Sequence, residues 1–515
     1  MKKHLFTVLM SALALPVIQG CAGANARNAP EKLRVEVFER ENANSSPAEN
    51  NYYTDWIKER CLKELNLDIE FVPVSRWSEG GELRALTEAG SAPDVCATYD
   101  LRLVNELHKA GKLSDLKQAL EREGEDLTAF LGADLSKRFS DEKTGEVYAL
   151  PARRVYQARS GAFIRKDWLD ALGLAVPYTT EEFYDVMVAF RDKIPQKDGK
   201  ITPLVMNKNV AWRAAPLLES FIDAGLTEED RYALLAAESS VLMPGYKEGV
   251  RFLNKMYNDK LINEDFGDEN FSGVGDDLAK NGLVGAYMGE WDAVYRVTPG
   301  IQTELAKNVG GGVFFPMNPF QNANGVTFKS VYGKSGVFII CPTKNAENAV
   351  KYLNWLSVAE NRRYLQLGDK GVTWDDVDGV PQMKNIEGER AMNSQYNIDY
   401  TLIINGLDMG SEELNMRALA AGYPVREDLV RRAYEHSMFG GYAYPEINQE
   451  IEAETMFGEE LNAIAQQLLI DAVRAAPGRF DEIWGEGIRR FLAAGGEEVV
   501  EERREAYRKD VLDAR

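Results

Sequence analysis

The front part of the chain alternates between strand and helix patterns, which restricts the folds that it can adopt. The segment KLRVEVFER at 32–40 predicts a strand, and apolar residues at helical spacing predict a helix over 51–65. A second strand, LDIEFVPVS, follows at 67–75, then a helix over 81–91 and a third strand at 93–99. This βαβαβ order predicts an α/β fold with a mainly parallel sheet and covering helices. In open sheets of this kind, ligands bind at the carboxyl ends of the strands.

Length and charge limit the partners that this chain can have. Its 515 residues are enough for two or more large lobes. The formal net charge of −21 opposes binding to nucleic acid and to anionic membrane surfaces. We therefore expect a globular protein with no nucleic-acid partner, in which the acidic balance mainly provides solubility.

The N-terminus has the pattern of a secretion signal. Two lysines follow the first methionine, and the apolar run over 5–18 is shorter than the roughly 20 residues that span a bilayer. The segment VIQGC resembles the lipobox of bacterial lipoproteins, which predicts a signal peptide at 1–20 and a lipid on Cys21, palmitate included. Residues 21–30 are small and polar and predict a flexible tether. The expected location is extracytoplasmic, at the cell surface or in the periplasm; the alternative is plain secretion with Cys21 as a spare thiol.

Catalytic and metal-binding patterns are missing from the sequence. Only three histidines occur, and no H-E-x-x-H, C-x-x-C or G-x-S-x-G motif is present. The acidic stretch 268–279 resembles a calcium loop but has Ala279 where a bidentate glutamate is needed. We expect a solvated acidic loop there, no metal, no cofactor and no catalytic residue.

Several stretches resemble one family over nearly the whole chain after the signal. They are SAPDVCATYD, YALPARRV, FIRKDWLDALGLAVPYTTEEFYDVMVAFRDK, MYNDKLINEDF, NGLVGAYMGEW and SGVFIICPTKNAENAVKYLNWLSVAENRRYLQLGDKGVTW. They are similar to family 1 extracellular solute-binding proteins, the receptors of ABC importers, and most of all to the LplA-like lipoprotein branch. Members often carry a calcium loop D-x-N-x-N-G-x-x-D-E, but this chain has RDKIPQKDGKITPL there. The resemblance therefore implies no metal site.

The resemblance implies a two-lobed fold like that of class II periplasmic binding proteins. Hinge strands would join the lobes, and a ligand would be trapped in the cleft between them as they close. Lobe 1 would take 31–152 and 330–400, and lobe 2 would take 155–328 and 401–515. The protein would be a monomeric, lipid-anchored receptor rather than an enzyme. It would deliver a small solute, a carbohydrate or oligosaccharide, to the permease subunits of an ABC importer.

Candidate ligand-binding residues are the aromatic and charged side chains at predicted strand ends and crossings. Sugars bind to aromatic faces through their C–H surfaces and to polar side chains through their hydroxyls. The candidates are Trp77, Tyr99, Asp100, Arg153, Tyr156, Trp212, Glu290, Trp291, Tyr332 and Trp374. Each of these aromatics has packing within a core as its alternative role.

Other functions remain open at this point. A surface glycoside hydrolase would need two carboxylates facing each other about 5–10 Å apart. A receptor of the same fold could bind peptides or polyamines, since the acidic balance favours cationic ligands. An adhesin or sensor could use the fold without a transporter.

Overall fold

A computed structural model describes residues 29–41, 47–141, 144–195, 201–268, 271–317, 320–321, 329–384, 386–447, 449 and 451–512. The predicted signal peptide, Cys21 and most of the predicted tether lie outside the described residues. Within that part of the chain, every helix is too short or too polar to cross a membrane.

The strands of the described residues are short apart from the first two. They are β1 (Glu31–Glu39), β2 (Leu67–Ser75), β3 (Cys96–Thr98), β4 (Leu150–Pro151), β5 (Arg153–Arg154), β6 (Ser160–Arg165), β7 (Thr202–Leu204), β8 (Val284–Glu290), β9 (Phe314–Pro316), β10 (Lys329–Val331), β11 (Phe338–Ile340), β12 (Trp374–Val377), β13 (Val380–Met383), β14 (Ile404–Asn405) and β15 (Gly441–Ala443).

Helices make up most of the remaining described structure. They are α1 (Tyr52–Leu65), α2 (Glu79–Glu88), α3 (Leu101–Lys109), α4 (Lys117–Glu123), α5 (Glu125–Ser136), α6 (Lys166–Leu172), α7 (Thr180–Lys193), α8 (Val210–Arg213), α9 (Ala215–Leu218), α10 (Glu228–Ala233), α11 (Tyr246–Asn258), α12 (Phe271–Lys280), α13 (Ile301–Asn308), α14 (Ala346–Ser357), α15 (Ala359–Leu367), α16 (Ile398–Thr401), α17 (Glu412–Ala421), α18 (Glu427–Met438), α19 (Glu452–Arg474), α20 (Phe480–Phe491) and α21 (Glu497–Tyr507).

The first sheet is built from the predicted βαβαβ segment. β1 and β2 pair in parallel along their whole length, and a parallel bridge from Val35 to Val95 leads toward β3. β11 returns from much later in the sequence and pairs antiparallel with both β3 and β4. In β2 the alternation of Leu67, Ile69 and Phe71 with charged residues puts one face in the core and the other in solvent. The predicted parallel pairing is found between β1 and β2 and at the bridge to Val95, whereas the prediction of a mainly parallel sheet is wrong at β3, β11 and β4, which pair antiparallel.

The second sheet has the order β7-β8-β6-β9. β8 runs parallel to β7, whereas β6 runs antiparallel to both β8 and β9. Helix α7, which packs on β7, begins at a capping box formed by Thr179 and Glu182. The Thr179 hydroxyl accepts from the Glu182 amide at 3.1 Å, and the Glu182 carboxylate accepts from the Thr179 amide at 3.2 Å. A large hydrophobic core that includes α19 and α20 lies against this sheet.

Helices α14 and α15 fill the stretch 346–367 and are separated at Val358, whose backbone is extended (φ −59°, ψ 124°). One local prediction needs correction. The stretch 268–279 was expected to be a loop, but most of it forms α12, in which the Asp276 carboxylate accepts from the Tyr287 hydroxyl at 2.7 Å. This bond connects α12 with β8.

The three cysteines within the described residues, Cys61, Cys96 and Cys341, are free thiols in the core. Burial raises the pKa of each thiol, so all three stay protonated and unreactive near neutral pH.

Candidate functional site

Three stretches of chain pair with one another through their backbones, and we call them the hinge stretches. The first comprises β4 and β5, the second leads from β10 to β11, and the third contains β14. The Arg153 amide donates to the Ile403 carbonyl at 2.9 Å, and the Arg154 amide donates to the Lys334 carbonyl at 2.7 Å. Backbone hydrogen bonds to both neighbouring stretches therefore fix the position of β5 and of the Cα atoms from which its side chains project.

Tyr99 lies directly after β3, at the carboxyl end of the first sheet. The Arg76 guanidinium, from the loop after β2, lies 3.8 Å from the centre of its ring. The Tyr99 amide donates to a carboxylate oxygen of Glu79 at 2.9 Å, which holds the turn after β3 against the start of α2. Burial raises the pKa of the Tyr99 hydroxyl, although the nearby arginines act in the opposite direction.

Asp100 caps α3. One carboxylate oxygen accepts from the amides of Arg102 at 3.0 Å and Leu103 at 3.3 Å. These are helix-terminal amides that have no partner inside the helix, so the cap stabilises α3 and fixes the direction in which it leaves β3. The Asp100 side chain thus has a structural role in addition to its position at the strand end.

Trp77 presents an open aromatic surface at the carboxyl end of β2. Its side chain is 71% exposed, and the neighbouring Arg76 guanidinium lies 6.0 Å from the centre of its ring. A tryptophan this exposed adds little to the stability of the lobe, but its face is free to cover an apolar partner.

Two arginines beside Tyr99 are each neutralised by a carboxylate. Arg40 makes a two-point contact with Asp399, with nitrogen–oxygen distances of 2.7 and 2.8 Å. Arg76 pairs with Glu79 at 2.9 Å. Paired guanidinium groups of this kind are held in fixed planes, which makes them rigid walls of a site.

Arg154 completes this group on the hinge side. Its guanidinium lies 4.1 Å from the centre of the Tyr332 ring and acts electrostatically on Tyr99. Its one hydrogen bond among the described residues runs from Nε to the Ser335 carbonyl, at 3.5 Å. Burial lowers the pKa of Arg154, yet a guanidinium remains charged at any physiological pH. We call Arg40, Arg76 and Arg154 the arginine cluster.

Glu446 links the hinge to the lobe that contains α19. Its carboxylate accepts from the Ser335 amide at 3.3 Å and from the Ser335 hydroxyl at 3.2 Å, and it pairs with Arg138 at 3.1 Å. Arg138 follows α5. The contact therefore connects the segments after α5 and after β15 with the stretch that leads from β10 to β11.

Glu219 organises the other side of the hinge. Its carboxylate accepts from the Ser330 amide at 2.6 Å, the Ser330 hydroxyl at 2.7 Å and an Arg159 guanidinium nitrogen at 3.0 Å. The Arg159 guanidinium also lies 4.8 Å from the centre of the half-buried Trp212 ring. This arrangement repeats the pairing of an arginine with an aromatic ring seen at Tyr99 and Tyr332.

Trp291 and Glu290 follow one another at the end of β8 but have different surroundings. Trp291 is only 7% exposed and packs edge-on against Tyr423 and Tyr434, with ring centres 6.1 and 5.4 Å apart. Glu290 forms an ion pair with Arg296. Trp291 therefore contributes to the core of its lobe in this structure.

Two candidates of the first hinge stretch have other contacts. The Tyr156 hydroxyl donates to the carbonyls of Leu407 at 3.2 Å and Asn415 at 2.8 Å. Arg153 is exposed, and its guanidinium lies 5.6 Å from the centre of the Phe130 ring. Both side chains hold parts of the protein together around the crossing.

Trp374 lines a separate shallow groove of about 430 Å³, together with Glu360, Arg363 and Tyr364. Its indole nitrogen donates to the Gly368 carbonyl at 3.2 Å, which fixes the turn between α15 and β12.

The structure thus divides the predicted site residues into two groups. In the first group, Trp77, Tyr99 and Tyr332 border the arginine cluster, Asp100 directly follows Tyr99, and Trp212 lies beside Arg159. Those engaged in other contacts are Arg153, Tyr156, Glu290, Trp291 and Trp374. Ligand binding by any of them stays a prediction.

The sequence reasoning missed the arginine cluster itself. A usable signal was present, because Arg40 ends the first predicted strand, Arg76 directly follows the second, and Arg154 follows Arg153 in the crossing. No group of three or more histidine, cysteine or carboxylate side chains among the described residues could hold a metal ion.

Comparison with known proteins places the chain in a family. The family model for bacterial extracellular solute-binding proteins matches residues 44–363, more than half of the chain. Lipoprotein LipO of Bacillus subtilis is 23% identical over 395 residues, which cover 72% of this chain and 73% of LipO. The polygalacturonan/rhamnogalacturonan-binding protein YtcQ of the same organism is 25% identical over 275 residues, covering 51% of this chain and 52% of YtcQ.

A solved structure shows the same architecture. It is the Streptococcus pneumoniae ABC-transporter substrate-binding protein FusA, an EF-hand mutant in complex with fructo-nystose, which aligns with a TM-score of 0.69 at 14% sequence identity. The alignment covers 94% of this chain and 100% of that one, and it confirms the two-lobed fold. The family match and the shared fold lead to one conclusion: this chain belongs to the bacterial extracellular solute-binding protein family.

Proposed function

We propose that this chain is a lipid-anchored extracytoplasmic receptor that captures a carbohydrate or oligosaccharide and delivers it to an ABC importer. The ligand lies in the cleft between the lobes, beside the hinge. The protein acts as a monomer, binds without chemical turnover and docks on the permease subunits of the importer.

One observation carries this proposal: exposed and half-buried aromatic rings lie beside arginines at the strand ends and the hinge. Trp77 and Tyr99 border Arg76, and Tyr332 borders Arg154. Aromatic faces cover the C–H surfaces of sugar rings, and charged side chains bond to their hydroxyls.

The printed names of the relatives support the same ligand class. YtcQ is described as a polygalacturonan/rhamnogalacturonan-binding protein, and FusA as a fructooligosaccharide ABC-transporter substrate-binding protein. LipO is described as a lipoprotein, which supports the lipid on Cys21. These descriptions motivate the proposal for this chain at the level of class, not of one sugar.

The proposed mechanism is closure of two lobes on the ligand. Lobe 1 comprises 31–152 and 330–400, and lobe 2 comprises 155–328 and 401–515. The hinge stretches stay paired by backbone hydrogen bonds while the lobes rotate about them. Contacts that the ligand makes with both lobes exist only in the closed form, so the ligand stabilises that form. The permease then distinguishes the loaded receptor from the empty one.

Thermal unfolding with a ligand panel tests this function. The full chain is purified in a detergent without a sugar headgroup and mixed with neutral oligosaccharides, acidic oligosaccharides, peptides and polyamines. A ligand that binds only the folded state increases the free energy of unfolding, by about 2.7 kcal/mol when its concentration is a hundred times Kd. The midpoint of thermal unfolding rises as a result. We expect a response to one oligosaccharide class, with the sugar recovered intact. A response to peptides or polyamines alone, or conversion of the sugar into products, contradicts the proposal.

A further inference from the structure

Arg154 has unused hydrogen-bond donors at the hinge. A guanidinium carries five N–H donors, and that of Arg154 makes one long bond, from Nε to the Ser335 carbonyl at 3.5 Å. Among the described residues, neither terminal nitrogen has an acceptor, and no carboxylate lies within ion-pair distance. The side chain is half-buried.

The two other arginines of the cluster lack this property. Arg40 is bonded to Asp399 at two points, and Arg76 is bonded to Glu79. All three guanidinium groups act to lower the pKa of the Tyr99 hydroxyl, and that of Arg76 lies against the Tyr99 ring. Three positive charges with two paired carboxylates leave one positive charge in excess at this position. This excess is notable in a chain with a formal net charge of −21.

Glu446 is the carboxylate that acts on Arg154 from the opposite lobe, but it is occupied. It accepts both the amide and the hydroxyl of Ser335 and pairs with Arg138 at 3.1 Å. Its effect on Arg154 is electrostatic, without direct contact. The charge of Arg138 offsets that of Glu446, so the excess at Arg154 remains.

The plane of the Arg154 guanidinium is held before any ligand arrives. The Tyr332 ring lies 4.1 Å from it, an arrangement that favours the cation and restricts its rotation. Gly336 also lies beside it, where an added Cβ would clash with a terminal nitrogen of Arg154. The absence of a side chain at 336 is therefore what lets the guanidinium occupy this place.

A fixed planar group with two free parallel donors matches a carboxylate. We infer that Arg154 is the recognition group for a carboxylate on the ligand, and that the oligosaccharide bound by this protein is acidic. Two kinds of sugar carry such a carboxylate, the uronic acids and the sialic acids. The inference rests on the proposed carbohydrate-binding function and adds the chemical class of the sugar.

The test compares ligands that differ only in the carboxylate. The full chain in sugar-free detergent is titrated by calorimetry with an oligogalacturonide and with its methyl ester of the same length. Sialyllactose and lactose form the second pair. We expect at least tenfold tighter binding of the acidic member in one pair, and the pair in which this occurs identifies the sugar.

Variants assign the preference to Arg154. In Arg154→Gln the preference for the acid over its ester should fall at least tenfold, while binding of the ester stays within twofold. Gly336→Ala should have the same effect with the charge intact, because the new methyl group displaces the guanidinium. Arg122→Gln, which removes an exposed arginine of α4, is the matched control and should keep the preference. Thermal midpoints show whether each variant is folded.

Three outcomes would overturn the inference. Equal or tighter binding of the neutral sugars would leave the receptor function intact and refute the acidic ligand. An acid preference that survives both Arg154→Gln and Gly336→Ala would refute the role of Arg154. Binding of acidic peptides without binding of any sugar would refute the inference together with the proposed function.

Discussion

The Arg76 guanidinium lies 3.8 Å from the centre of the Tyr99 ring and 2.9 Å from a Glu79 carboxylate oxygen. The first contact belongs to the candidate site, and the second holds the lobe together, because Glu79 also accepts the Tyr99 amide. One side chain thus connects the loop after β2 with the end of β3 and the start of α2. The wall of the site and the stability of the lobe depend on the same ion pair.

Replacing Arg76 by methionine should destabilise the protein by about 3 kcal/mol, because the nearly buried Glu79 carboxylate would lose its counter-ion. Urea unfolding measures this loss as a shift of the midpoint. Adding Glu79→Gln to the same chain removes the unpaired charge and should recover part of the stability. If the double variant is no more stable than Arg76→Met alone, the ion pair is not the source of the effect.

Replacing Trp77 by alanine should weaken oligosaccharide binding roughly tenfold, because an aromatic face on the sugar would be lost. The free energy of unfolding should change by less than about 0.5 kcal/mol, since the indole is 71% exposed. Calorimetric titration and urea unfolding give the two values.

Two variants serve as controls for Trp77→Ala. Met456 is also 71% exposed, and Met456→Ala should affect neither quantity strongly. Trp291→Ala should instead cost about 3–5 kcal/mol of stability, because that indole is packed in a core. Loss of binding in Met456→Ala to the same extent as in Trp77→Ala would argue against a specific contact with Trp77.

Replacing Thr179 by alanine should cost about 1 kcal/mol of stability, because the hydroxyl that accepts the Glu182 amide would be removed from the start of α7. Thr179→Ser keeps the hydroxyl and should retain most of the stability. The two variants are compared by urea unfolding, where equal losses in both would show that the cap contributes little.

The fold could be predicted where the sequence has a strong local period. Strand β2 was predicted to the residue, because hydrophobic and charged side chains alternate from Leu67 onward. The break between α14 and α15 could not be seen, because Val358 fits a helical period and leaves the helix only through its backbone angles. The sequence alone also could not pair β11 with β3, which are more than 200 residues apart.

The candidate site was predicted in part for a related reason. Strand ends locate Trp77 and Tyr99, because the position of a residue in a βα unit follows from local pattern. Whether an arginine has a counter-ion depends on residues far away in the chain, as for Arg40 and Asp399. The unpaired state of Arg154 therefore became visible only in three dimensions.

Lipid anchoring makes a prediction that does not depend on the ligand. Replacing Cys21 by alanine removes the only sulfur to which the proposed acyl chains could attach near the N-terminus. Each buried CH₂ adds about 0.8 kcal/mol to membrane binding, so the variant should move from the membrane fraction to the soluble one. Fractionation with immunoblotting measures this, and an unchanged membrane fraction would refute the anchor at Cys21.

The pH dependence of stability should report on Lys329, which is buried at the start of β10. Burial lowers the pKa of its ammonium group to about 7, although the nearby Glu219 raises it. In the unfolded chain the same group releases its proton only near pH 10.4. Between these values the unfolded state binds more protons, so this contribution to stability rises with pH.

Relative to Lys329→Met, the wild-type protein should therefore gain on the order of 4 kcal/mol between pH 7 and pH 10. Urea unfolding at several pH values gives the free energy of unfolding of both proteins. Groups that titrate in the same way in both do not contribute to the difference between them. His436, whose carbonyl accepts from the Lys329 ammonium, has a pKa lowered to about 4 by burial and stays neutral throughout this range. In the control variant Lys112→Met, which replaces an exposed lysine, the free energy of unfolding should change with pH as it does in the wild type. If the free energy of unfolding of Lys329→Met also changes with pH as in the wild type, the folded protein does not disfavour the charge of Lys329.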